Sequence, residues 1–418
     1  MNYFKHSDLA NQYHVSLKTV HNWISSAKDE KIDLQLHEAK SGTYVANTAR
    51  NTLILETLAE KGKKYRNSLH QKVVSPRQDF YSIYNRRQIL DIINSLGIHH
   101  EIPAQYSYMG EGAMNWDGWM KRLATDTTAN LLNGTIDLLE RNSAAIDRII
   151  RGTSRVNVVD LGAGNAYPVK KLLDDLLNKE LLNRYIAIDI SPEMLRIAED
   201  NVHSWFNNSV HFEGYQRDMT YERFDDLLVE DMLDGKADNT INIILLLGGT
   251  ASNFSSFDDA IRTIRGSMGR NDILIFTDKL DTESSRQYFD FAITKSGQAD
   301  HVTSKLSELD KYMLDLLGID ESLYTVESGF NPAKHMRYIQ IRLNTSITVE
   351  FGVSEAKQRV NLEKGEVILL LRILHHNSHQ ILTAFQQAGL DFLHASISAD
   401  HQFYLSISRV EQRDGESH

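Results

Sequence analysis

No cysteine occurs in this 418-residue chain, which excludes disulfides and thiolate metal sites and makes a cytoplasmic setting the economical expectation. Its first residues, Met1-Asn2-Tyr3-Phe4-Lys5-His6, lack the apolar core of a signal peptide. Its long apolar runs, such as Ile243 to Leu247 and Val367 to Leu371, are strand-sized, so no membrane span is expected. A serine nucleophile elbow, a phosphate-cradling Walker loop and a His-Glu-x-x-His metal helix are also missing, which removes the commonest signatures of hydrolases, P-loop enzymes and metalloproteases. What remains is ordinary for a soluble globular protein of two or three domains, with 24% charged and 41% hydrophobic residues. The net charge of −11 is unevenly spread: residues 1–78 hold 12 Lys and Arg against 7 Asp and Glu, a local excess of +5 that leaves −16 for the rest. The front of the chain is therefore the end to test for nucleic acid.

The most informative stretch is Val158-Val159-Asp160-Leu161-Gly162-Ala163-Gly164-Asn165, an apolar run ending in Asp-x-Gly-x-Gly. About 25 residues later Tyr185-Ile186-Ala187-Ile188-Asp189-Ile190 forms a second apolar run ending in an acid, the spacing of a βαβ unit. Gly162 and Gly164 let backbone approach a ligand, and Asp189 at a strand tip can accept both hydroxyls of a ribose. A dinucleotide fold would place a third glycine near position 167 to seat a pyrophosphate on the helix N-terminus, but Ala166-Tyr167-Pro168 stands there. An adenosine ligand without phosphates fits better, and S-adenosylmethionine is the expected cofactor.

Residues 1–70 read as a separate module. Ser7 is expected to cap a first helix and Ser16 a second, with Val15 in the turn and Val20, Trp23 and Ile24 on the second helix's buried face. The exposed face would carry Lys18, Thr19, His21, Asn22 and Lys28, donors suited to phosphates and base edges. A hairpin wing near Lys40 to Tyr44 and a helix ending in Lys61 to Arg66 would follow. The pattern resembles the winged helix-turn-helix of bacterial MerR-type regulators, which implies DNA as a partner and a homodimer as the binding form. A trihelical interaction module is the competing reading.

Residues 71–150 are expected to hold a linker (Gln71 to Gln78), helices at Arg87 to Leu96 and Leu131 to Ile150, and between them an irregular segment, Tyr106 to Met120. That segment's three glycines, two tryptophans and two tyrosines suit either a lid or an aromatic staple, with Tyr108 facing substrate. Residues 151–418 then alternate strand and helix as an α/β domain with a parallel sheet, interrupted by a substrate-side insertion near 281–376. Helices are expected at Val169 to Asn178, Pro192 to Phe206, Arg223 to Leu233 and Phe257 to Met268. Strands are expected near Val210 to Glu213, Ile241 to Leu247 and Ile273 to Thr277. A last helix, His379 to Ala388, with strands Phe392 to Ile397 and Phe403 to Ser408, is similar to the ending that closes the mostly parallel, seven-stranded, Rossmann-like sheet of class I methyltransferases.

Three segments resemble the histidine-specific Nα-methyltransferases of ergothioneine synthesis: the Asp160 to Gly164 turn with Ala187-Ile188-Asp189-Ile190-Ser191, then Leu246-Leu247-Gly248-Gly249-Thr250-Ala251-Ser252-Asn253-Phe254, then Phe276-Thr277-Asp278. Gly329 to Pro332 and Ala388-Gly389-Leu390 are weaker echoes. The resemblance implies a transferase in which Asp160, Gly162, Gly164, Asp189, Asp218, Met219 and Gly248 hold the cofactor. Asn253 and Tyr288 would orient the acceptor amine. An alternative for Asn253 is capping the next helix, with Ser255 and Ser256 as rival caps.

The sequence departs from the family where its members carry a Glu and a Ser that grip the imidazole, for Leu371 and Ile373 stand there. Leaving an imidazole unpaired there would cost about 1–3 kcal/mol per polar group, so a small-molecule, amino-acid or peptide amine other than histidine is the expected acceptor. His375, His376 and His379 invite a metal, but no third ligand is apparent and solvated histidines are expected instead. A DNA base methyltransferase would need an Asp/Asn-Pro-Pro-aromatic loop where Gly248 to Asn253 stands. The alternative from another class is a DNA-binding regulator whose methyltransferase-like domain senses S-adenosylmethionine or a small ligand with little turnover.

Overall fold

The computed structural model describes residues 3–39, 42–69, 71–126, 130–219, 221–228, 239–254, 256–280, 282, 306–331, 333–353 and 356–412. The chain divides into two compact units, residues 1–73 with 345–348, and residues 74–344 with 349–418.

In the smaller unit, strand β1 (Tyr3–Phe4) precedes helices α1 (His6–Gln12) and α2 (Leu17–Lys28), strands β2 (Leu36–Ala39) and β3 (Gly42–Ala46) and helix α3 (Ala49–Leu69). Ser16 caps α2 by accepting the Thr19 N–H at 3.1 Å. Ser7 does not cap α1: the helix has already begun at His6, Lys5 holds the cap position, and the Ser7 hydroxyl donates to Asp8. Leu9, Val20, Trp23, Ile24, Val45 and Leu55 form the core, joined by Ala10 and Leu34. Buried Asn51 ties α3 to the hairpin, donating to the Ala46 carbonyl at 2.8 Å and exchanging two hydrogen bonds with the Gln35 backbone.

Lys72 to Val74 form a short strand, β4, where an irregular linker was expected. The larger unit then runs through helices α4 (Gln78–Ile83), α5 (Arg86–Asn94), α6 (Glu111–Thr125), α7 (Leu131–Arg141) and α8 (Ser143–Ile149). The aromatic and glycine-rich segment is thus largely helical, beginning with a tight turn at Ala104–Tyr108. Its glycines serve packing: a Cβ on Gly112 would lie 1.9 Å from the Ser107 carbonyl oxygen, and one on Gly110 would lie 2.7 Å from the Tyr312 hydroxyl.

The sheet is built from β5 (Arg155–Leu161), β6 (Leu182–Asp189), β7 (Phe212–Gln216), β8 (Thr240–Leu246), β9 (Ile273–Lys279), β15 (Leu390–Ile397) and β16 (Phe403–Val410), in the order β15-β16-β9-β8-β5-β6-β7. β16 runs antiparallel to β9, and the strands from β9 to β7 run parallel to one another. This is the class I methyltransferase order, with β7 beginning two residues later than expected. Alternation along β5 explains the layers. Val156 and Val158 pack into one cluster with Leu172, Leu173, Ala198 and Val202 of α9 (Lys170–Asn178) and α10 (Pro192–Phe206). Val159 and Leu161 pack into the other with Ile261, Ile264 and Phe385 of α11 (Phe257–Ser267) and α13 (Ser378–Gln387). Of the helix expected at Arg223 to Leu233, Asp225–Leu228 is one 3₁₀ turn and residues 229–238 lie outside the described part.

At the amino ends of these strands Asn183 donates to Asn157, Asn157 to Asn242 and Asn242 to Asp272, each at 2.8 Å. Between β9 and α13 stand α12 (Glu308–Leu316), β10 (Tyr324–Asn331), β11 (Met336–Leu343), β12 (Ile347–Val353), β13 (Ala356–Leu362) and β14 (Val367–Leu374). β10, β11 and β14 form an antiparallel sheet that places Leu371 opposite Ile339 and Ile373 opposite Arg337. Among the described residues no helix is long and apolar enough to cross a membrane.

Candidate active site

The reversal of strand order between β5 and β8 opens a crevice at the carboxyl ends of the strands, the place where open α/β sheets take ligands. After β5 the chain turns through Gly162 (φ +71°) and Gly164 (φ +54°), backbone states that favour glycine. The turn is also crowded by the protein itself: a Cβ on Gly162 would come within 2.6 Å of Thr250 Cγ2, and one on Gly164 within 2.6 Å of the Trp116 indole. The Gly164 N–H donates to Asp189 Oδ2 at 3.1 Å, and Asp189 Oδ1 accepts from the Ser191 N–H at 3.0 Å. The two strand tips picked out in the sequence are therefore joined directly. A carboxylate offers about four lone-pair positions, so Asp189 keeps acceptor capacity toward the cavity it lines.

That cavity, about 1150 Å³, lies within the larger unit. Asp160, Gly162, Gly164, Asp189, Asp218, Met219 and Gly248 all line it, and so do Tyr108, Asn253, Leu371 and Ile373. Tyr288 lies outside the described residues. Burial pushes the Asp160 carboxyl up to about 7, with neighbouring Asp189 adding and the 2.7 Å hydrogen bond from the Tyr185 hydroxyl opposing. Burial likewise raises Asp189, against backbone N–H donors.

The loop after β8 is fixed by the end of β9. Gly248 N–H donates to Thr277 Oγ1 at 2.9 Å, and Ser252 Oγ donates to Asp278 Oδ1 at 3.2 Å. Asp278 Oδ2 in turn meets His376 Nδ1 at 3.0 Å, and the His376 ring stacks on Phe257. His375 and His376 are therefore buried, not solvated: Asp278 and Phe257 hold His376, and Phe330 packs near His375, partners that the local sequence does not reveal. Ser256 caps α11 through the Asp259 N–H, which relieves Asn253 of capping. The Asn253 side chain instead lies beside Tyr108, whose hydroxyl is pushed up to about 12 by burial and the nearby Asp310, with Asn253 opposing. Tyr108 is thus a donor at any working pH.

The wall carrying Leu371 and Ile373 is not wholly apolar. Ile339 extends it, but Arg337 and Lys279 also line the cavity, and Arg372 pairs with Glu101 at 3.4 Å. Lys279, only 2% exposed, is pushed down to about 7 mainly by burial, with Asp400 opposing and Arg337 reinforcing. Sequence inspection missed Trp116, Thr250, Asp278, Asp310 and Arg337 as parts of this site. Thr250 and Asp278 carried a signal, since both lie in segments that resemble the family, and Trp116 lies in the aromatic segment; Asp310 and Arg337 carried none.

In the smaller unit Lys18, His21 and Asn22 are exposed and Thr19 is half-buried beside Ser16. Lys28 is held by Glu38 of the hairpin at 3.1 Å, so it is less available to phosphate than its position suggested.

No curated protein is similar enough to the chain to match it. Among solved structures, the glycopeptide N-methyltransferase MtfA with S-adenosylmethionine is 13% identical, with a TM-score of 0.32 and coverage of 65% of this chain and 87% of the other. The magnesium protoporphyrin IX methyltransferase ChlM of Synechocystis PCC 6803 with bound SAH is 10% identical, with a TM-score of 0.37 and coverage of 73% and 97%. The amino pentose methyltransferase CalS10 of Micromonospora echinaspora is 11% identical, with a TM-score of 0.33 and coverage of 71% and 97%. At such a level of likeness the fold assignment rests on the sheet order, not on these neighbours. Residues 88–410 match the family described as histidine-specific methyltransferase, SAM-dependent, with S-adenosylmethionine as its cofactor, and the chain belongs to that family.

Proposed function

We propose that the chain methylates the amine nitrogen of a small molecule, amino acid or peptide, and that histidine itself is not the acceptor. The observation that carries this reading is the Tyr108 and Asn253 pair, lining the same cavity as the glycine turn and as Leu371 and Ile373, which stand where the resemblance implies imidazole-binding groups. S-adenosylmethionine supplies an electrophilic methyl group on a sulfonium. Asp189 would accept the ribose hydroxyls, Asp218 the adenine amine, and Met219 would cover the ring, while Gly162, Gly164 and Gly248 shape the backbone around them. Asp160 and Asp189, buried carboxyls at the ends of the neighbouring strands β5 and β6, line the cavity that would take the sulfonium cofactor. Asn253 and Tyr108 orient the acceptor nitrogen by hydrogen bonds that do not require charge, which is what in-line transfer to a neutral amine demands.

Incubation with S-adenosylmethionine and a pool of amines and amino acids, read by mass spectrometry, should return a product heavier by one methyl group. In Asn253→Ala cofactor binding should persist while turnover falls by about 100-fold. Cofactor binding without any S-adenosylhomocysteine would favour the sensing regulator instead.

For residues 1–70 we propose a MerR-like winged helix-turn-helix that binds DNA and acts as a homodimer. Supporting it are the Ser16-capped α2 with exposed Lys18, His21 and Asn22, and the β2–β3 hairpin in the place of a wing. Lys18→Ala should weaken binding across DNA sequences and reduce the salt slope by about one. Unchanged DNA affinity in that variant would remove the assignment.

A further inference from the structure

A primary amine arrives mostly as an ammonium ion, and the cavity must take a proton from it before its nitrogen can be methylated. Tyr108 cannot be the acceptor of that proton, because its own hydroxyl is held protonated. Several cavity carboxylates are engaged elsewhere: Asp160 by Tyr185, Asp278 by His376 and Ser252, Glu101 by Arg372, and Asp91 by the Tyr106 hydroxyl. Asp310 is placed differently. It lines the cavity from the first turn of α12, where Ser307 accepts its backbone N–H at 3.2 Å and donates a hydroxyl to its Oδ2 at 2.6 Å. Its charge reaches Tyr108, and so the place where Tyr108 and Asn253 meet.

Building on the methyl-transfer reading above, we propose that Asp310 is the base that takes the acceptor's proton. The N–H bond of the ammonium breaks, the proton bonds to a carboxylate oxygen of Asp310, and the electron pair stays on nitrogen. Two features of the site help this transfer. Ile339, Leu371 and Ile373 line the same cavity and solvate an ammonium ion poorly, which favours its neutral form. Burial raises the Asp310 carboxyl, against the Ser307 hydrogen bonds and the Arg337 guanidinium. Among the described residues, Arg337 on β11 and Tyr108 in the turn before α6 are the titratable or charged groups that bear on Asp310 from other elements.

The test uses the full chain, S-adenosylmethionine and an equimolar mixture of free amino acids, ethanolamine and benzylamine, with kcat and KM followed from pH 6 to 9.5 for the product that forms. Asp310→Asn should lose about 100-fold in kcat/KM near pH 7 and regain rate by about tenfold per pH unit as solvent deprotonates the amine. Asp310→Glu should recover part of the loss. Calorimetry with S-adenosylhomocysteine should give the wild-type affinity for both variants, showing that the cofactor side is intact. An Asp310→Asn protein as fast as wild type, or slowed equally at every pH, overturns the proposal and leaves the methyl-transfer reading standing. Wild-type protein that binds S-adenosylhomocysteine yet methylates nothing in the mixture removes that reading, and this assignment with it.

Discussion

At the amino ends of β6, β5, β8 and β9, Asn183, Asn157, Asn242 and Asp272 spend their polar atoms on one another across the sheet. At the carboxyl ends of the same strands, Asp189, Asp160 and Asp278 are buried and also line a cavity. The first arrangement satisfies the protein alone and pins strand register. The second keeps acceptor capacity for something else, at the expense of raised carboxyl pKa values at Asp160 and Asp189. Stability and function are thereby assigned to opposite ends of one sheet, a division that mutations can break.

The largest separation is expected from Asp189→Ala, which should weaken S-adenosylmethionine binding by about 100-fold or more, close to 3 kcal/mol, in calorimetry. At the other end Asn157→Ala should lower unfolding stability by about 2 kcal/mol in urea, because Asn183 and Asn242 lose buried partners, while cofactor affinity stays at the wild-type value. Loss of cofactor affinity in Asn157→Ala would erase the comparison. A smaller effect, about 1 kcal/mol of stability with unchanged kcat, is expected for Ser256→Ala, which removes the cap of α11 without touching Asn253.

The comparison also predicts a pH dependence. The folded Asp160 carboxyl, at about 7, lies above its unfolded value of 3.8, so its contribution to stability is complete below about pH 4 and is lost as pH rises toward 7. Asp160→Asn should therefore gain stability relative to wild type between pH 5 and 8, and parallel urea midpoints for the two proteins across that range would contradict the assignment.

Much of the sheet was legible because its signals are local. The parallel strands other than β7 each contain a short apolar run, and the two cofactor-side tips announce themselves as Asp-x-Gly-x-Gly and a terminal Asp189. The acceptor side was not, because it is assembled from distant segments: Tyr108, Asn253, Asp310 and the facing strands β11 and β14 come together only in the fold. Residues 106–120 were left open between a lid and an aromatic staple for a related reason. Glycine next to aromatics suggests a hinge, whereas Gly110 and Gly112 are small so that Tyr312 and the Ser107 carbonyl can pack against them. His376 was misplaced in solvent because its partner Asp278 is 98 residues away.

Gly164 leaves room for the six-membered ring of Trp116, one of only four tryptophans in the chain, and that indole borders the cavity. A ligand reaching the turn alters the surroundings of a natural fluorophore. Titrating the unlabelled protein and following its emission thus gives a direct optical reading of occupancy, with Trp116→Phe as the blank.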